Sequence, residues 1–258
     1  MFRIKENPDG SINRYKARLV TKGFHQLQGF DFTENFSPVV KPIAIRLILT
    51  LAISYKWPIQ QLDVNNAFLN GILEEEVYMQ QPPGFEHGDS GLVCKLHKAL
   101  YGLKQAPRQR FDRLKVTLLQ FGFQASKCDP SLFTYAKQKQ VVYLLVYVDD
   151  IIITGSSTSL VTSLITKLDS VFSLKHLGQL DYFLGIEVKH LPNHTLLLTQ
   201  SKYIRDLLSK TNMLECNSIN TPMISSCKLS KHGSDHFQDI SLYRSVVGSL
   251  QYATITRP

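Results

Sequence analysis

Cysteine is scarce: Cys94, Cys128, Cys216 and Cys227 are widely spaced with no close pair, which argues against a disulfide framework and for a reducing compartment. Long apolar runs are missing too. The most apolar stretch, residues 43–55, is too short to span a bilayer and carries Arg46, so it reads as a buried helix and no membrane partner is expected. No charged-then-apolar leader opens the chain, so nothing points to secretion. With 14 Gly and 11 Pro in 258 residues, no repeat and no low-complexity tract, collagen-like and wholly disordered chains are excluded. What is present, 43% hydrophobic against 19% charged residues, can bury a core without disulfides, as one large domain or a main domain with a smaller lobe.

Acids are outnumbered by bases, giving a formal charge of +8, and their distribution carries more than the total. Residues 94–120 hold Lys95, Lys98, Lys104, Arg108, Arg110, Arg113 and Lys115 against Asp112 alone, whereas residues 61–93 hold acids and no Lys or Arg. Such alternation suits a cationic groove for phosphates around a small carboxylate site; solvated faces are the plain alternative.

The turn formers Asn7-Pro8-Asp9-Gly10-Ser11 predict a hairpin whose second strand alternates. Tyr15, Ala17 and Leu19 fall on one face, and Arg14, Lys16, Arg18 and, past Val20, Lys22 on the other. Cations on one strand face repel unless an anion lies across them, so this face reads either as a phosphate contact or as a charge-protected edge. Pro42 opens a helix to about Lys56, which Pro58 stops, and a strand over Ile59–Val64 follows. Next come an acidic turn Glu74-Glu75-Glu76, a short extended stretch at Val77-Tyr78-Met79 and the loop Pro82-Pro83-Gly84. A second helix from Pro107 to Gly122 buries Phe111, Leu114 and Leu118 and keeps Arg108, Arg113 and Lys115 outside. Residues 141–154, two β-branched and aromatic runs around Asp149-Asp150, read as a hairpin with both carboxylates at its tip. A helix over 159–171, strands near 182–188 and 195–199, and a helix over 202–210 complete an α+β fold with antiparallel sheet and helices packed on one side.

Adjacent carboxylates raise each other's cost of ionisation, and a divalent cation removes it. Mg²⁺ takes oxygen ligands, commonly one or two carboxylates with substrate phosphates. A third acid is then wanted, and Asp63, at the end of the strand in Gln61-Leu62-Asp63-Val64-Asn65-Asn66-Ala67-Phe68, is the candidate. Two metals about 3.5–4 Å apart would suit nucleotidyl transfer. A solvated turn at Asp149-Asp150 and an ordinary strand-end residue at Asp63 are the structural alternatives.

Three strings carry a resemblance. Tyr147-Val148-Asp149-Asp150, residues 61–71 (Gln-Leu-Asp-Val-Asn-Asn-Ala-Phe-Leu-Asn-Gly) and residues 100–108 (Leu-Tyr-Gly-Leu-Lys-Gln-Ala-Pro-Arg) resemble the reverse transcriptase of copia-type LTR retrotransposons. Nearly the whole chain takes part, from Tyr15-Lys16-Ala17-Arg18-Leu19-Val20 to Tyr243-Arg244-Ser245-Val246-Val247-Gly248-Ser249-Leu250. The resemblance implies a right-hand polymerase with partial fingers (1–58 and about 64–140, with palm insertions), a palm core (59–64 and 141–190) and a palm end or start of connection (191–258).

It further implies RNA- or DNA-templated DNA synthesis with Mg²⁺, or Mn²⁺, on a primed template with dNTPs. Asp63, Asp149 and Asp150 would be catalytic metal ligands, with Val64 in the metal set and Lys175 as a general acid for pyrophosphate, otherwise a surface lysine. Lys16, Arg18, Phe68, Tyr101 and Gly102 would bind dNTP, Phe68 lying under the sugar unless it is an ordinary core residue. Lys104, Gln105, Pro107, Arg108, Tyr147, Phe183, Leu184 and Gly185 would meet nucleic acid, Gly102 permitting close backbone approach. Other Pol polyprotein domains, ribonuclease H and integrase, are implied partners. The implied location is cytoplasmic, in a virus-like particle if the element is active, with the nucleus as the alternative.

Two departures stand out. The chain resembles a piece that begins inside the fingers and stops where related polyproteins continue, and Arg110 stands where the family usually has Trp. That charge must reach solvent or phosphate, or be buried at a cost of several kcal/mol. A decayed or domesticated fragment that binds nucleic acid without synthesis is therefore the competing reading. A palm-like nucleotide cyclase needs no template groove and fits the basic segments less well. His190-x3-His194 and His232-x3-His236 lack a tight cysteine pair, and no zinc site is expected.

Overall fold

A computed structural model describes residues 1–6, 11–88, 91–221 and 237–256. In chain order the elements are β1 (Phe2–Glu6), β2 (Ile12–Ala17), α1 (Pro42–Ser54), β3 (Ile59–Val64), β4 (Ile72–Gln80), β5 (Val93–Lys98), α2 (Ala106–Gln120), β6 (Gln124–Ala125) and β7 (Leu132–Lys137). They continue with β8 (Gln140–Tyr147), β9 (Asp150–Gly155), α3 (Thr158–Phe172), β10 (Leu174–Gln179), β11 (Tyr182–Phe183), β12 (Ile186–Leu191), β13 (Thr195–Thr199), α4 (Ser201–Lys210) and α5 (Ile240–Ala253). Helices and antiparallel sheets mix as an α+β fold, in two compact units, Met1–Gln179 and Leu180–Pro258. Among the described residues no helix is long and apolar enough to cross a membrane.

The first unit is organised by a six-stranded antiparallel sheet in the order β10-β3-β9-β8-β7-β6. One face carries Leu62, Val64, Leu144, Val146, Ile151 and Ile153, which form a single apolar cluster with the stripes of α2 (Phe111, Leu114, Leu118) and α3 (Val161, Leu164, Ile165, Leu168). The expectation of helices on one side only is corrected here. Leu145 and Ile152, which alternation directs to the other face, are also buried, and α1, whose Ile45, Ile48, Leu49 and Ala52 lie outside that cluster, contacts β9. Strands as apolar as β8 and β9 require cover on both faces.

Local chemistry sets the ends of these helices. Pro42 occupies the first turn of α1, and the orphan N–H of Lys41 is satisfied from a distance by the Asp129 carboxylate at 2.9 Å. α3 is capped by the Ser157 hydroxyl, which accepts from the Leu160 N–H.

The acidic stretch Glu74-Glu75-Glu76 is a second correction: it lies inside β4, in the irregular stretch between the Ile72–Lys98 and Val77–Leu96 pairs to β5, not in a turn. The ion pair from Lys95 on β5 to Glu76 offsets the charge repulsion that suggested a loop. The β1–β2 hairpin pairs Arg3 with Lys16 and Lys5 with Arg14; its turn residues 7–10 lie outside the described residues.

The second unit is a three-stranded antiparallel sheet, β11-β12-β13, with α4 and α5. The segment expected as one strand over 182–188 is broken at Leu184 and Gly185, both with positive φ (51° and 75°), which makes the tight turn between β11 and β12. The Tyr252 hydroxyl donates to the Leu184 carbonyl, and the Tyr203 and Tyr252 rings lie 5.1 Å apart. Cys94, Cys128 and Cys216 are free thiols, and Cys227 lies outside the described residues.

Candidate functional site

Strand register builds the site. Tyr147 on β8 pairs with Asp150 on β9, Asp150 pairs with Asp63 on β3, and Asp63 pairs with Lys175 on β10. Cross-strand partners point to the same face, so these four side chains form one row across four strands. Asp149 sits beside the row in the two-residue turn after Tyr147, where Val148 has φ +45°, a costly conformation for a β-branched residue. The turn is tied to β3 by the Val64 N–H, which donates to the Asp149 carbonyl at 2.8 Å.

Burial pushes the carboxyls of Asp149 and Asp150 above the ordinary carboxylate range, and the charge on Asp63 pushes both the same way. Arg110, Arg18 and Lys16 oppose the shift at Asp149. At Asp150 the Gln61 amide, which donates to Oδ1 at 3.4 Å, opposes it first and Arg110 next. Asp149 Oδ1 is buried without a hydrogen-bond partner. An orphaned carboxylate oxygen beside further carboxylates is an all-oxygen donor set of the kind that suits Mg²⁺ or Mn²⁺. Among the described residues no group of three or more His, Cys, Asp or Glu side chains is placed to hold a metal ion by itself.

The cationic hairpin approaches the same place. Lys16 and Arg18 are half-buried while Tyr15, Ala17 and Leu19 are exposed, so the charged face, not the apolar one, is turned inward. Burial and the neighbours Arg18, Lys5 and Arg14 hold the Lys16 ammonium below its ordinary value, with Asp63 pulling the other way. The Arg18 guanidinium lies 5.2 Å from the Tyr101 ring centroid, and that ring meets Phe68 edge-on at 5.0 Å. Phe68, in the short 3-10 turn Ala67–Asn70, also packs against the apolar cluster of Val77, Ala99, Leu103 and Ala106.

Gly102 has φ +94°, and a Cβ there would overlap the Thr21 carbonyl, just as one on Gly23 would overlap the Gly102 carbonyl. Its close backbone approach is thus to the segment following β2, where Val20 forms an isolated bridge with Tyr101 and the Thr21 N–H donates to the Tyr101 carbonyl at 2.8 Å. Gln105 is fully buried, donating to the Asp31 carbonyl at 2.9 Å and accepting from Gln26 at 3.0 Å. It braces the segment and offers no surface to nucleic acid in this conformation. Lys104 donates to the Gln26 carbonyl at 2.9 Å, and Arg108 is paired with Glu34 and Asp112. Pro107 stands in the first turn of α2. Phe183, Leu184 and Gly185 form the β11–β12 turn region of the second unit. Lys175 is exposed on an edge strand. A cleft of about 640 Å³ runs between Leu19–Gln26 and β4, and none of the three aspartates lines it.

Gln61 gains importance only in three dimensions, and Arg110 turns out to take the buried alternative. Gln61 is two positions before Asp63 on β3, a spacing that puts both on one face. Arg110 is 4% exposed, and burial pushes it down to about 10 while Asp149 and Asp150 favour its charge. Of the histidine pairs, His190 Nε2 lies 2.8 Å from the Leu180 carbonyl, and His232, His236 and the side chain of His194 lie outside the described residues.

Comparison with known proteins adds an independent line. A family model described as "Reverse transcriptase (RNA-dependent DNA polymerase)" matches residues 1–225. The chain is 52% identical over 259 residues to the retrovirus-related Pol polyprotein from transposon RE1 of Arabidopsis thaliana and 51% identical to that from transposon RE2. It is 42% identical over 269 residues to the retrovirus-related Pol polyprotein from transposon TNT 1-94 of Nicotiana tabacum. In each case the whole of this chain is covered, and it spans 18% to 20% of the relative's length.

Proposed function

The chain belongs to the reverse transcriptase (RNA-dependent DNA polymerase) family, and from that premise we propose that it is the polymerase portion of a copia-type retrotransposon Pol polyprotein. It adds dNTPs to a primer 3′-hydroxyl on an RNA or DNA template. The observation that carries this reading is the cross-strand pairing of Asp63 with Asp150 beside the Asp149 turn. In hand-like terms residues 59–64 and 141–190 are the palm core, residues 1–58 and about 64–140 supply partial fingers with palm insertions, and residues 191–258 are the palm end or the start of the connection.

Asp63, Asp149 and Asp150, with the Val64 backbone, would hold two divalent cations. Bound Mg²⁺, or Mn²⁺, supplies activation of the attacking hydroxyl and neutralisation of the departing pyrophosphate. Lys16 and Arg18 attract the triphosphate, since their inward cationic face has no compensating acid on its own hairpin strand. Phe68, braced by Tyr101, fills the space beside the sugar and excludes a 2′-hydroxyl, and Gly102 lets Tyr101 reach that position. Lys175, in register with Asp63, gives a proton to the leaving pyrophosphate. Tyr147, Lys104, Pro107 and Arg108 border the template, and the Phe183-Leu184-Gly185 turn holds the primer end. Gln105 acts through the loop it braces. Other Pol domains, including ribonuclease H and integrase, are the expected partners, in a cytoplasmic particle or the nucleus.

The test is divalent-cation-dependent dNTP incorporation on a primed RNA template, lost in Asp63→Asn and Asp149→Asn. A second reading, nucleic-acid binding without synthesis, is favoured by the buried Arg110. It predicts salt-sensitive primer–template binding with no incorporation.

A further inference from the structure

Arg110 is a charge in a place that ordinarily rejects charge. It lies on α2 next to Phe111, whose ring is 6.2 Å from Phe133 and whose cluster includes Val146 and Ile151, the apolar residues nearest the Asp149-Asp150 turn on either strand. From the other side the Gly71 backbone presses on the Arg110 backbone so closely that a Cβ on Gly71 would stand 2.9 Å from the Arg110 nitrogen. The helix therefore cannot swing out to bring the guanidinium to water without opening the core.

Guanidinium stays protonated under any ordinary condition. A buried ion without an opposite charge is strongly destabilising. Within the described residues, the buried side-chain polar atoms without a hydrogen-bond partner are Arg110 Nη2, Asp149 Oδ1, Glu75 Oε2 and Ser131 Oγ. Arg110 and Asp149 are opposite in sign and each feels the other's charge. A buried cation and a half-buried carboxylate, each with one buried atom that has no hydrogen-bond partner, compensate one another through space.

We propose that Arg110 is an internal counter-ion of the Asp149-Asp150 pair, standing in electrostatically for a divalent cation and so weakening the binding of divalent cations by this chain. The inference rests on the reading of these carboxylates as a metal site given above. A fixed positive charge both reduces the net negative charge that a cation meets and repels the cation directly. Arg110 is thus a positioning residue for charge, not a catalytic one.

The experiment is calorimetric titration of Mn²⁺ into the metal-free full chain, comparing wild type with Arg110→Met, Arg110→Lys and Asp149→Asn. Arg110→Met should bind Mn²⁺ at least tenfold more tightly than wild type, Arg110→Lys should stay near wild type, and Asp149→Asn should abolish the binding in either background. Equal or weaker binding by Arg110→Met, still abolished by Asp149→Asn, overturns the proposal and leaves the carboxylate site standing. Binding insensitive to Asp149→Asn overturns the carboxylate site itself. Circular dichroism checks folding, and Arg110→Trp replaces Arg110→Met if the latter unfolds. If both neutral variants unfold while Arg110→Lys folds, position 110 requires its charge, as a counter-ion does. A second readout uses no metal: in EDTA, Asp149→Asn should raise the thermal midpoint more in Arg110→Met than in wild type. Equal shifts in the two backgrounds would count against any coupling.

Discussion

The Val64 N–H donates to the carbonyl oxygen of Asp149 at 2.8 Å, and this one backbone bond fastens the tip of the β8–β9 hairpin to the end of β3. It gives the left-handed Val148 a reason to persist: the strain at φ +45° is held by pairing on both sides, Tyr147 with Asp150 and Asp149 with Val64. Residues 85 positions apart (Val64 and Asp149) and 87 apart (Asp63 and Asp150) thereby become neighbours.

Gly102 makes the first test. Its positive φ and the overlap of a Cβ with the Thr21 carbonyl predict that Gly102→Ala costs on the order of 2–4 kcal/mol. Urea unfolding of the full chain, followed by far-ultraviolet circular dichroism, should show the loss.

Phe68 makes the second. Its ring is held edge-on by Tyr101 at 5.0 Å, so Phe68→Val should open the space beside the sugar while leaving the carboxylates in place. Ribonucleotide use relative to deoxyribonucleotide should rise on the order of 10- to 100-fold. Single-nucleotide incorporation kinetics with paired nucleotides measure it.

A pH effect is expected in the second unit. Glu187 accepts from the Thr199 hydroxyl at 2.6 Å and from the Lys202 N–H at 3.0 Å, and these bonds hold its carboxyl below the ordinary 4.5. A depressed carboxyl stabilises the fold above its unfolded pKa, and that contribution disappears as pH falls through the folded pKa. Glu187→Gln should therefore lower the thermal midpoint at neutral pH, and the gap to wild type should close below about pH 4. A gap independent of pH would mean that shape, not charge, matters at this position.

Arg108 tests the nucleic-acid face. Because it is already paired with Glu34 and Asp112, Arg108→Ala should reduce the salt dependence of primer–template binding by less than the full increment of about 0.9 per phosphate contact. Lys16→Ala, on the inward face of the hairpin, should instead raise KM for dNTP. Filter binding across salt concentrations and steady-state kinetics separate the two.

Much of the frame was legible because strong periods dominate it. β3 carries Ile59, Leu62 and Val64 around Asp63 directly after the helix-stopping Pro58, and β8 and β9 carry β-branched runs around the carboxylates, so all three can be located from the sequence. The stripe of α2 at Phe111, Leu114 and Leu118 is equally plain, yet Arg110 is four residues before Leu114 and shares the buried side, which its charge conceals. β10, with Lys175, His176 and Gly178 exposed, has no alternation to announce it and exists through pairing with β3. The strand that holds Glu74-Glu75-Glu76 likewise shows itself only through β5, whose Val93–Leu96 pair with Val77–Gln80. α5, over Ile240–Ala253, gave no caps strong enough to be read, although Asp239 does accept from the Leu242 N–H.

The most direct measurement is an anomalous difference map from crystals of this chain soaked with Mn²⁺ and a dNTP. Manganese peaks are expected bounded by the carboxylates of Asp63, Asp149 and Asp150, with the triphosphate near Lys16 and Arg18. Manganese bound elsewhere while those three carboxylates hold none would contradict this assignment of the site.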